Sequence, residues 1–378
     1  MKEQSKVKRR IAFVSPNAWT MYNFRREVLQ SILQNGFEII IIAGNDKYAE
    51  LLVSMGCLFI PVTIKNHSLR LTDDLLLYLR LRKIYKQYHP DFIFHYVAKP
   101  NIYGTIAARL LNIPSVAVIT GLGHAFNKNN LLKVLIKRLY QFSLRYAHEV
   151  WCLNADDADY FVRHKIVSIQ KIKTLPGEGV NIEHFKKDSI PRKQRNIFTF
   201  LMSARLLKSK GVTEYANAAL MLNQKDLRFR CLLVGAREQH PDAISSTLIT
   251  RWQQQPGFFY LGFIDDIRIH LAEADCFVYP SYYNEGIPRS LLEACSLELS
   301  VITTDNTGCR NLVQDGINGF LCNKRDPVSL AAKMEKMIKL DCDQRVLMGA
   351  RSRKIVEANY NMDIVVTCYI RLLKTYFG

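Results

Sequence analysis

Short apolar runs alternate with segments of helical period through the first half of the chain. Residues 11–14, 37–43, 58–62, 92–95, 115–119 and 149–153 read as buried strands. Residues 22–34, 47–54, 73–88, 101–111, 131–146 and 155–164 read as the helices between them. This alternation is the pattern of an α/β chain with a parallel sheet covered by helices on both faces. Ligands in such sheets bind outside the carboxyl ends of the strands. Three strand ends therefore carry candidate ligand-binding residues. They are Ser15-Pro16-Asn17, the segment 95–101 with Lys99 and Asn101, and the segment 120–124 with Gly121, Gly123 and His124. The glycines of the third loop allow close approach to a substrate, and His124 brings a titratable group to the mouth of the sheet.

The pattern breaks at 186–196, which is polar, basic and aperiodic and reads as a linker. A second α/β unit starts at 197–202. Its first loop, 203–211, holds Arg205 and Lys210 ahead of a helix ending near 222. Two cations there could clamp a diphosphate, Arg as a planar fork and Lys as a point charge. Strands at 231–234 and 258–261 follow, the first ending at Gly235-Ala236-Arg237. Helices are expected at 328–340, 344–357 and 362–376. The expected domains are 1–185, 196–360 and a closing helix at 361–378.

The segment 279–319 carries the strongest chemical signal. An apolar run ends at Tyr279-Pro280-Ser281, a polar loop holds Asn284, Glu285 and Gly286, and Pro288 opens a helix to about residue 296 with Leu291, Leu292 and Cys295 turned inward. The helix start near Gly286, Ile287 and Arg289 favours an anion, typically phosphate. Glu285 precedes the helix and Glu293 lies more than a turn inside it, so the two carboxylates have separate roles. A nucleotide-sugar fits: sugar hydroxyls on Glu285, diphosphate on the amides and ribose on Glu293.

The run P-S-x-x-x-E-G-x-P-x-x-x-x-E-A, followed by V-I-T-T and D-G-x-N-G-F-L, resembles the retaining glycosyltransferases of family 4, which have the GT-B fold. Glu285 and Glu293 match their E-x7-E motif. Arg205 and Lys210 match their R-x4-K-G diphosphate loop, and the G-V-N-x-x-x-F stretch is similar to their interdomain segment. The K-P-N-x-Y-G and G-L-G pieces resemble members that extend polyprenyl-diphosphate-linked sugars. Many members carry a His directly at the end of the strand before His124, whereas Thr120-Gly121 stands there in this chain. The resemblance implies two Rossmann-like domains facing across a cleft, with a C-terminal helix crossing back to the first. It implies a UDP-sugar donor held by Arg205, Lys210, Gly235, Asn284, Glu285, Gly286, Ile287 and Glu293. Glu285, Arg205, Lys210 and His124 would be catalytic, with no cofactor and no metal. It implies as acceptor a lipid-linked sugar of bacterial surface glycan synthesis.

Charge bears on the partner. The net charge is +18, and residues 1–180 hold 25 Lys and Arg against 13 Asp and Glu. Such an excess points to an anionic partner: nucleic acid, acidic lipid or a phosphorylated substrate. No motif of base-stacking aromatics favours nucleic acid. In 131–146, Lys133, Lys137, Gln141 and Arg145 form one stripe, and Leu132, Leu135, Ile136, Leu139 and Phe142 cover much of the rest. A basic amphipathic helix of this kind can lie on an anionic membrane. Residues 79–86 add Arg80, Arg82, Lys83 and Lys86. No apolar run reaches eighteen residues. The nine cysteines are scattered without C-x-x-C pairs, as in a cytosolic protein with reduced thiols. These features lead to the expectation of a cytoplasmic enzyme peripheral on the inner face of the membrane. Asp157-Ala158-Asp159 spells D-x-D, but its place after Asn154 makes it the acidic first turn of a helix. Two other functions fit parts of this pattern: a GT-B sugar-nucleotide epimerase and a non-enzymatic polyanion binder.

Overall fold

The computed structural model describes residues 8–66, 68–122, 130–187, 197–225, 227–238 and 240–378. Gly123 and His124 lie outside them. The chain forms two compact units, one of residues 1–178 with 363–378, the other of residues 179–362.

Unit 1 runs β1 (Arg10–Ser15), α1 (Ala18–Gln34), β2 (Glu38–Ala43), α2 (Ala49–Ser54), β3 (Leu58–Pro61), α3 (Leu71–Tyr88), β4 (Phe92–Tyr96), α4 (Thr105–Arg109), β5 (Ser115–Ile119), α5 (Asn130–Leu144), β6 (Glu149–Cys152), α6 (Ala155–Arg163) and β7 (Ile172–Thr174). Its seven strands are all parallel in the order β3-β2-β1-β4-β5-β6-β7. The strands β1, β2, β4, β5 and β6 bury nearly continuous apolar runs, as expected of a sheet covered on both faces. The order reverses between β1 and β4, and that crevice is where a doubly wound sheet offers a binding site.

Several local starts differ from the sequence expectation. α1 begins at Ala18, earlier than 22, because Asn17 caps it: its Oδ1 accepts the Thr20 amide at 2.9 Å. Residues 101–111 are not one helix, since a π turn at Pro100–Gly104 precedes α4. The D-x-D pair also separates. Asp157 is buried, its carboxylate accepting from Asn154 Nδ2 at 2.9 Å and its amide donating to Asn154 Oδ1 at 2.7 Å, while Asp159 is exposed.

α5 corrects the expected orientation of its stripe. Lys133 and Gln141 turn toward α6: the Lys133 ammonium sits 5.9 Å from the Tyr160 ring, and Gln141 Nε2 donates to the Lys165 carbonyl at 3.2 Å. The lysine stem and the amide can cover a neighbouring helix because both are amphipathic. The exposed side is instead Leu131, Val134, Leu135 and Phe142, with Arg138 and Arg145 among them.

His95 is fully buried at the end of β4, with Nε2 2.9 Å from the Tyr85 hydroxyl and Nδ1 3.4 Å from Thr105 Oγ1. Gly104 leaves room for the ring, since a Cβ there would stand 2.5 Å from it. Burial pulls the imidazole down from 6.5 to about 3. Below pH 6.5 the unfolded chain therefore takes up a proton that the folded chain refuses. The stability His95 contributes is fully present above pH 6.5 and is lost as pH falls toward 3. We expect His95→Gln to be less stable at pH 7 and to show a flatter fall with acid. The difference in slope should reach at most about 1.4 kcal/mol per pH unit, read from urea midpoints of both proteins. Parallel slopes would mean that His95 is protonated in the folded state.

α13 (Met362–Phe377) belongs to unit 1 apart from its first residue. Tyr369 shares a 2.7 Å hydroxyl contact with Tyr96. Arg25 stacks 3.9 Å from the Tyr96 ring and bonds Glu178 at 2.7 Å, so the end of β4, α1 and the last residue of the first segment meet in one buried network.

Unit 2 runs β8 (Phe198–Ser203), α7 (Val212–Leu222), β9 (Phe229–Val234), α8 (Ser246–Gln253), β10 (Phe258–Tyr260), α9 (Arg268–Ala272), β11 (Cys276–Tyr279), α10 (Arg289–Ser296), β12 (Ser300–Thr304), β13 (Gly319–Cys322), α11 (Pro327–Lys339) and α12 (Cys342–Asn359). Its six parallel strands lie in the order β10-β9-β8-β11-β12-β13. Here the order reverses between β8 and β11.

Candidate active site

The loops that leave β8 and β11 meet at that reversal. The Tyr282 amide donates to the Ser209 carbonyl at 2.9 Å, joining the two loops by their backbones. Gly211 makes the approach possible, since its φ is +80° and a Cβ would stand 2.2 Å from the Pro280 carbonyl oxygen. Lys210 is thereby carried under the second loop. Its Nζ donates to Glu285 Oε2 at 2.6 Å and to the Tyr279 hydroxyl at 2.9 Å. Tyr279 in turn donates to Glu285 Oε1 at 3.1 Å, and Ser281 Oγ donates to the same oxygen at 3.0 Å. Two hydroxyls thus close on a paired carboxylate and ammonium.

Lys210 has a side chain only 6% exposed. Burial lowers its affinity for a proton, with the Arg205 charge acting the same way, while Glu285 opposes both. Burial keeps Tyr279 protonated far above the usual phenol range. Arg205 stands at the mouth, about half-exposed, and reaches Glu238 at 3.2 Å.

The far side of the loop is held as tightly. Gly308 has φ +81°, and a Cβ on it would stand 2.1 Å from the Gly286 carbonyl oxygen. Asn306 Nδ2 donates to the Tyr283 carbonyl at 2.8 Å, and Thr303 Oγ1 to the Tyr279 carbonyl at 2.6 Å. Pro288 is the cap residue of α10 with an extended ψ of 124°, one position earlier than expected. Ile287 is buried in the core of unit 2, so only its backbone is available to a ligand. Asn284 is half-buried beside Glu285. Glu293 pairs with Arg289 one turn before it at 3.0 Å, and Arg289 also donates to the Gly179 carbonyl at 2.6 Å. Burial raises the Glu293 carboxyl, with Arg289 pulling the other way.

Both units thus belong to the doubly wound α/β type, and unit 2 brings Arg205, Lys210 and Glu285 together at its switch point, with Glu293 on the helix that follows. The family described as "Glycosyl transferases group 1" matches residues 182–355, and the one described as "Glycosyl transferase 4-like" matches residues 10–154. The chain is a glycosyltransferase of these families. The transferase is 27% identical to the N,N'-diacetylbacillosaminyl-diphospho-undecaprenol alpha-1,3-N-acetylgalactosaminyltransferase of Campylobacter jejuni, over 96% of this chain and 98% of that one. It is 29% identical to the UDP-Gal:alpha-D-GlcNAc-diphosphoundecaprenol alpha-1,3-galactosyltransferase of Escherichia coli, over 72% of each. Its fold matches a glycosyltransferase from Rickettsia africae with a TM-score of 0.81 at 20% identity, covering 98% and 99% of the two chains. It matches HepE from Anabaena, solved with UDP, with a TM-score of 0.76 at 18% identity, covering 97% and 100%. The fold is GT-B.

The acceptor candidates of the transferase scatter more. Asn17 spends its side chain on capping α1. Asn101 is fully buried and donates to the Val118 carbonyl at 2.9 Å, so it supports the core of unit 1 and cannot touch an acceptor. Gly121 takes φ +135° just after β5. Lys99 does face a space: its Nζ lies 2.7 Å from Asp74 and 2.8 Å from the Ser68 carbonyl, at a cavity of about 250 Å³ bordered also by Thr63, Lys65, Asp73 and Arg80.

Sequence reading missed Tyr279 and Ser281 as partners of Glu285. Ser281 precedes Glu285 by four residues, but nothing in the spelling of a strand end says which way a tyrosine hydroxyl points. The i,i+4 spacing of Arg289 and Glu293 was a legible signal for their pair.

Proposed function

We propose that the transferase moves a hexose or N-acetylhexosamine from a UDP-sugar to a sugar carried on a polyprenyl diphosphate, with retention at the anomeric carbon. It would work in bacterial surface glycan assembly at the cytoplasmic face of a membrane holding the acceptor. The observation that carries the reading is the buried Lys210–Glu285 pair at the switch point of unit 2, with Arg205 at its mouth. The substrates of the relatives from C. jejuni and E. coli support the donor and acceptor classes.

In this reading Glu285 orients the donor hydroxyls and Glu293 the ribose. Breaking the bond from the anomeric carbon to the diphosphate oxygen builds negative charge on the leaving group. Lys210 and Arg205, already in place, stabilise that charge. The acceptor hydroxyl bonds to the anomeric carbon on the face the diphosphate leaves, and its proton passes to the departing phosphate oxygen. The step invokes neither a metal nor a cofactor.

The test is turnover of a panel of UDP- and GDP-sugars on a polyprenyl-diphosphate-sugar acceptor, with and without EDTA, by the wild type and by Glu285→Gln. We expect nucleotide diphosphate release that needs acceptor, resists EDTA and falls by about a hundredfold in the variant, the scale of losing one preorganised charged group. Release without acceptor would replace this reading with the epimerase. Anionic-ligand binding that Glu285→Gln leaves unchanged, with no turnover, would replace it with the polyanion binder.

A further inference from the structure

We infer that Arg289 is a positioning residue for the donor nucleotide: its guanidinium, fixed on the backbone of Gly179, holds the Glu293 carboxylate in the pose that accepts ribose hydroxyls. The inference deepens the donor reading and rests on its assignment of the ribose to Glu293. Every residue that carries it belongs to unit 2.

Arg289 is the first residue of α10, and Glu293 stands four positions on. That spacing brings an Arg and a Glu together on any helix, but on an open surface the pair is weak and loosely posed. Here both partners are largely enclosed, their side chains 10% and 17% exposed. Two nitrogens of the guanidinium are engaged in different directions. Nε donates to Glu293 Oε1 at 3.0 Å, and Nη1 donates to the Gly179 carbonyl at 2.6 Å.

The anchor is itself held. Gly179 takes φ +71°, and Val180 after it is fully buried. The Val180 amide donates to the Tyr360 carbonyl and its carbonyl accepts from the Met362 amide, both at 2.9 Å. A planar guanidinium bonded to such a backbone gives Glu293 one direction in which to point. The rotamer freedom of both side chains is then lost on folding, before a donor arrives.

The carboxylate so placed is only half used. Oε1 takes Arg289, and Oε2 has no hydrogen bond among the described residues. An ionised carboxylate has about four lone-pair sites, so a vicinal diol finds one oxygen whole and the other partly free. The adjacent cation also favours the ionised, accepting form against the burial that raises this carboxyl. Lysine at 289 would keep the charge but not the planar fork that serves Gly179 and Glu293 together.

The test is calorimetric titration of the full chain with UDP and GDP, then with the 2′-deoxy form of whichever binds tighter. The variants are Arg289→Gln, Arg289→Lys and Glu293→Ala. The ratio of two affinities on one preparation does not depend on how much of it is folded. We expect the wild type to prefer the ribonucleotide by about tenfold or more, the scale of a hydroxyl bonded to a carboxylate. Glu293→Ala should abolish the preference. Arg289→Gln should reduce it to about threefold or less, with donor KM raised and kcat nearly kept, the pattern of lost uniform binding. Arg289→Lys should fall between the glutamine variant and the wild type. An Arg289→Gln protein that weakens both nucleotides equally and keeps the full preference would overturn the positioning role and leave Glu293 as the ribose residue. A wild type without preference, or a Glu293→Ala protein that keeps it, would instead overturn the ribose assignment and the inference with it. Turnover of the donor panel reads the transferase step separately.

Discussion

Lys210→Met is expected to lose turnover by about 10²–10³-fold and to unfold more easily by about 3 kcal/mol. The two effects have one origin. The ammonium sits in a site with little water, 2.6 Å from Glu285, and the Glu285 side chain is itself only 16% exposed. Methionine fills the same length without charge, so the variant leaves the carboxylate with only the Tyr279 and Ser281 hydroxyls for company. Removing one member of a buried pair is more harmful than never having had the pair, because the survivor remains desolvated. The turnover loss follows from a cation that would otherwise face the leaving diphosphate. Lys210→Arg keeps the charge but replaces a compact ammonium by a planar fork, in a space bounded by the Tyr279 and Tyr283 rings at 5.5 and 5.0 Å. It should recover part of the stability and less of the turnover. Combining Lys210→Met with Glu285→Gln should remove most of the added instability, since no unpaired charge is then left. Chemical denaturation and steady-state kinetics on the four proteins would decide it. A Lys210→Met protein that turns over within tenfold of the wild type would place the leaving-group charge elsewhere.

This pair marks the limit of what could be read from the chain. Arg205, Lys210, Glu285 and Glu293 were each legible as residues of strand-end loops before helices. That Lys210 and Glu285 touch was not, because 75 residues separate them and only the β8–β11 neighbourhood joins their loops. The strands of both sheets were legible where buried apolar runs were long, as at Glu38–Ala43. β7 escaped because Ile172–Thr174 is three residues with a lysine at its centre. α8 escaped because Ser246–Gln253 buries only Ile249 and Trp252, too few positions to set a period. The start of α1 escaped because Asn17 was weighed as a ligand residue when its side chain is the cap. α5 shows a subtler failure. Helical period identified an amphipathic helix correctly, but not which side meets water, because Lys133 and Gln141 turn toward α6 while Leu131, Val134 and Leu135 stay outside.

Gly235→Ala is expected to be as damaging as any single methyl group can be in unit 2. Gly235 follows β9 directly with φ +155°, and an added Cβ would stand 1.8 Å from the Ala204 carbonyl oxygen. The backbone around it has nowhere to go. The Ala204 amide donates to the Val234 carbonyl at 3.0 Å and the Leu206 amide to the Ala236 carbonyl at 3.1 Å, so the two chains are bonded on both sides of the clash. Gly235 itself donates to the Gly262 carbonyl at 2.9 Å and accepts from the Tyr260 hydroxyl at 2.9 Å. The methyl group must therefore push the loop of β8 away from β9, and Arg205 is the next residue along that loop. We expect a stability loss of about 3 kcal/mol or more. In the protein that remains folded we expect weaker donor binding. Gly36→Ala separates the two components of the strain. Gly36 has φ +85° with nothing within 4 Å of an added Cβ. It should show only the backbone penalty of about 1 kcal/mol and no change in donor affinity. Thermal melts and donor titrations of both variants measure this. Equal melting losses would mean that the strand-end loops of β8 and β9 can part freely. A site of that looseness could not hold Arg205 and Lys210 in advance of the charge they are there to meet.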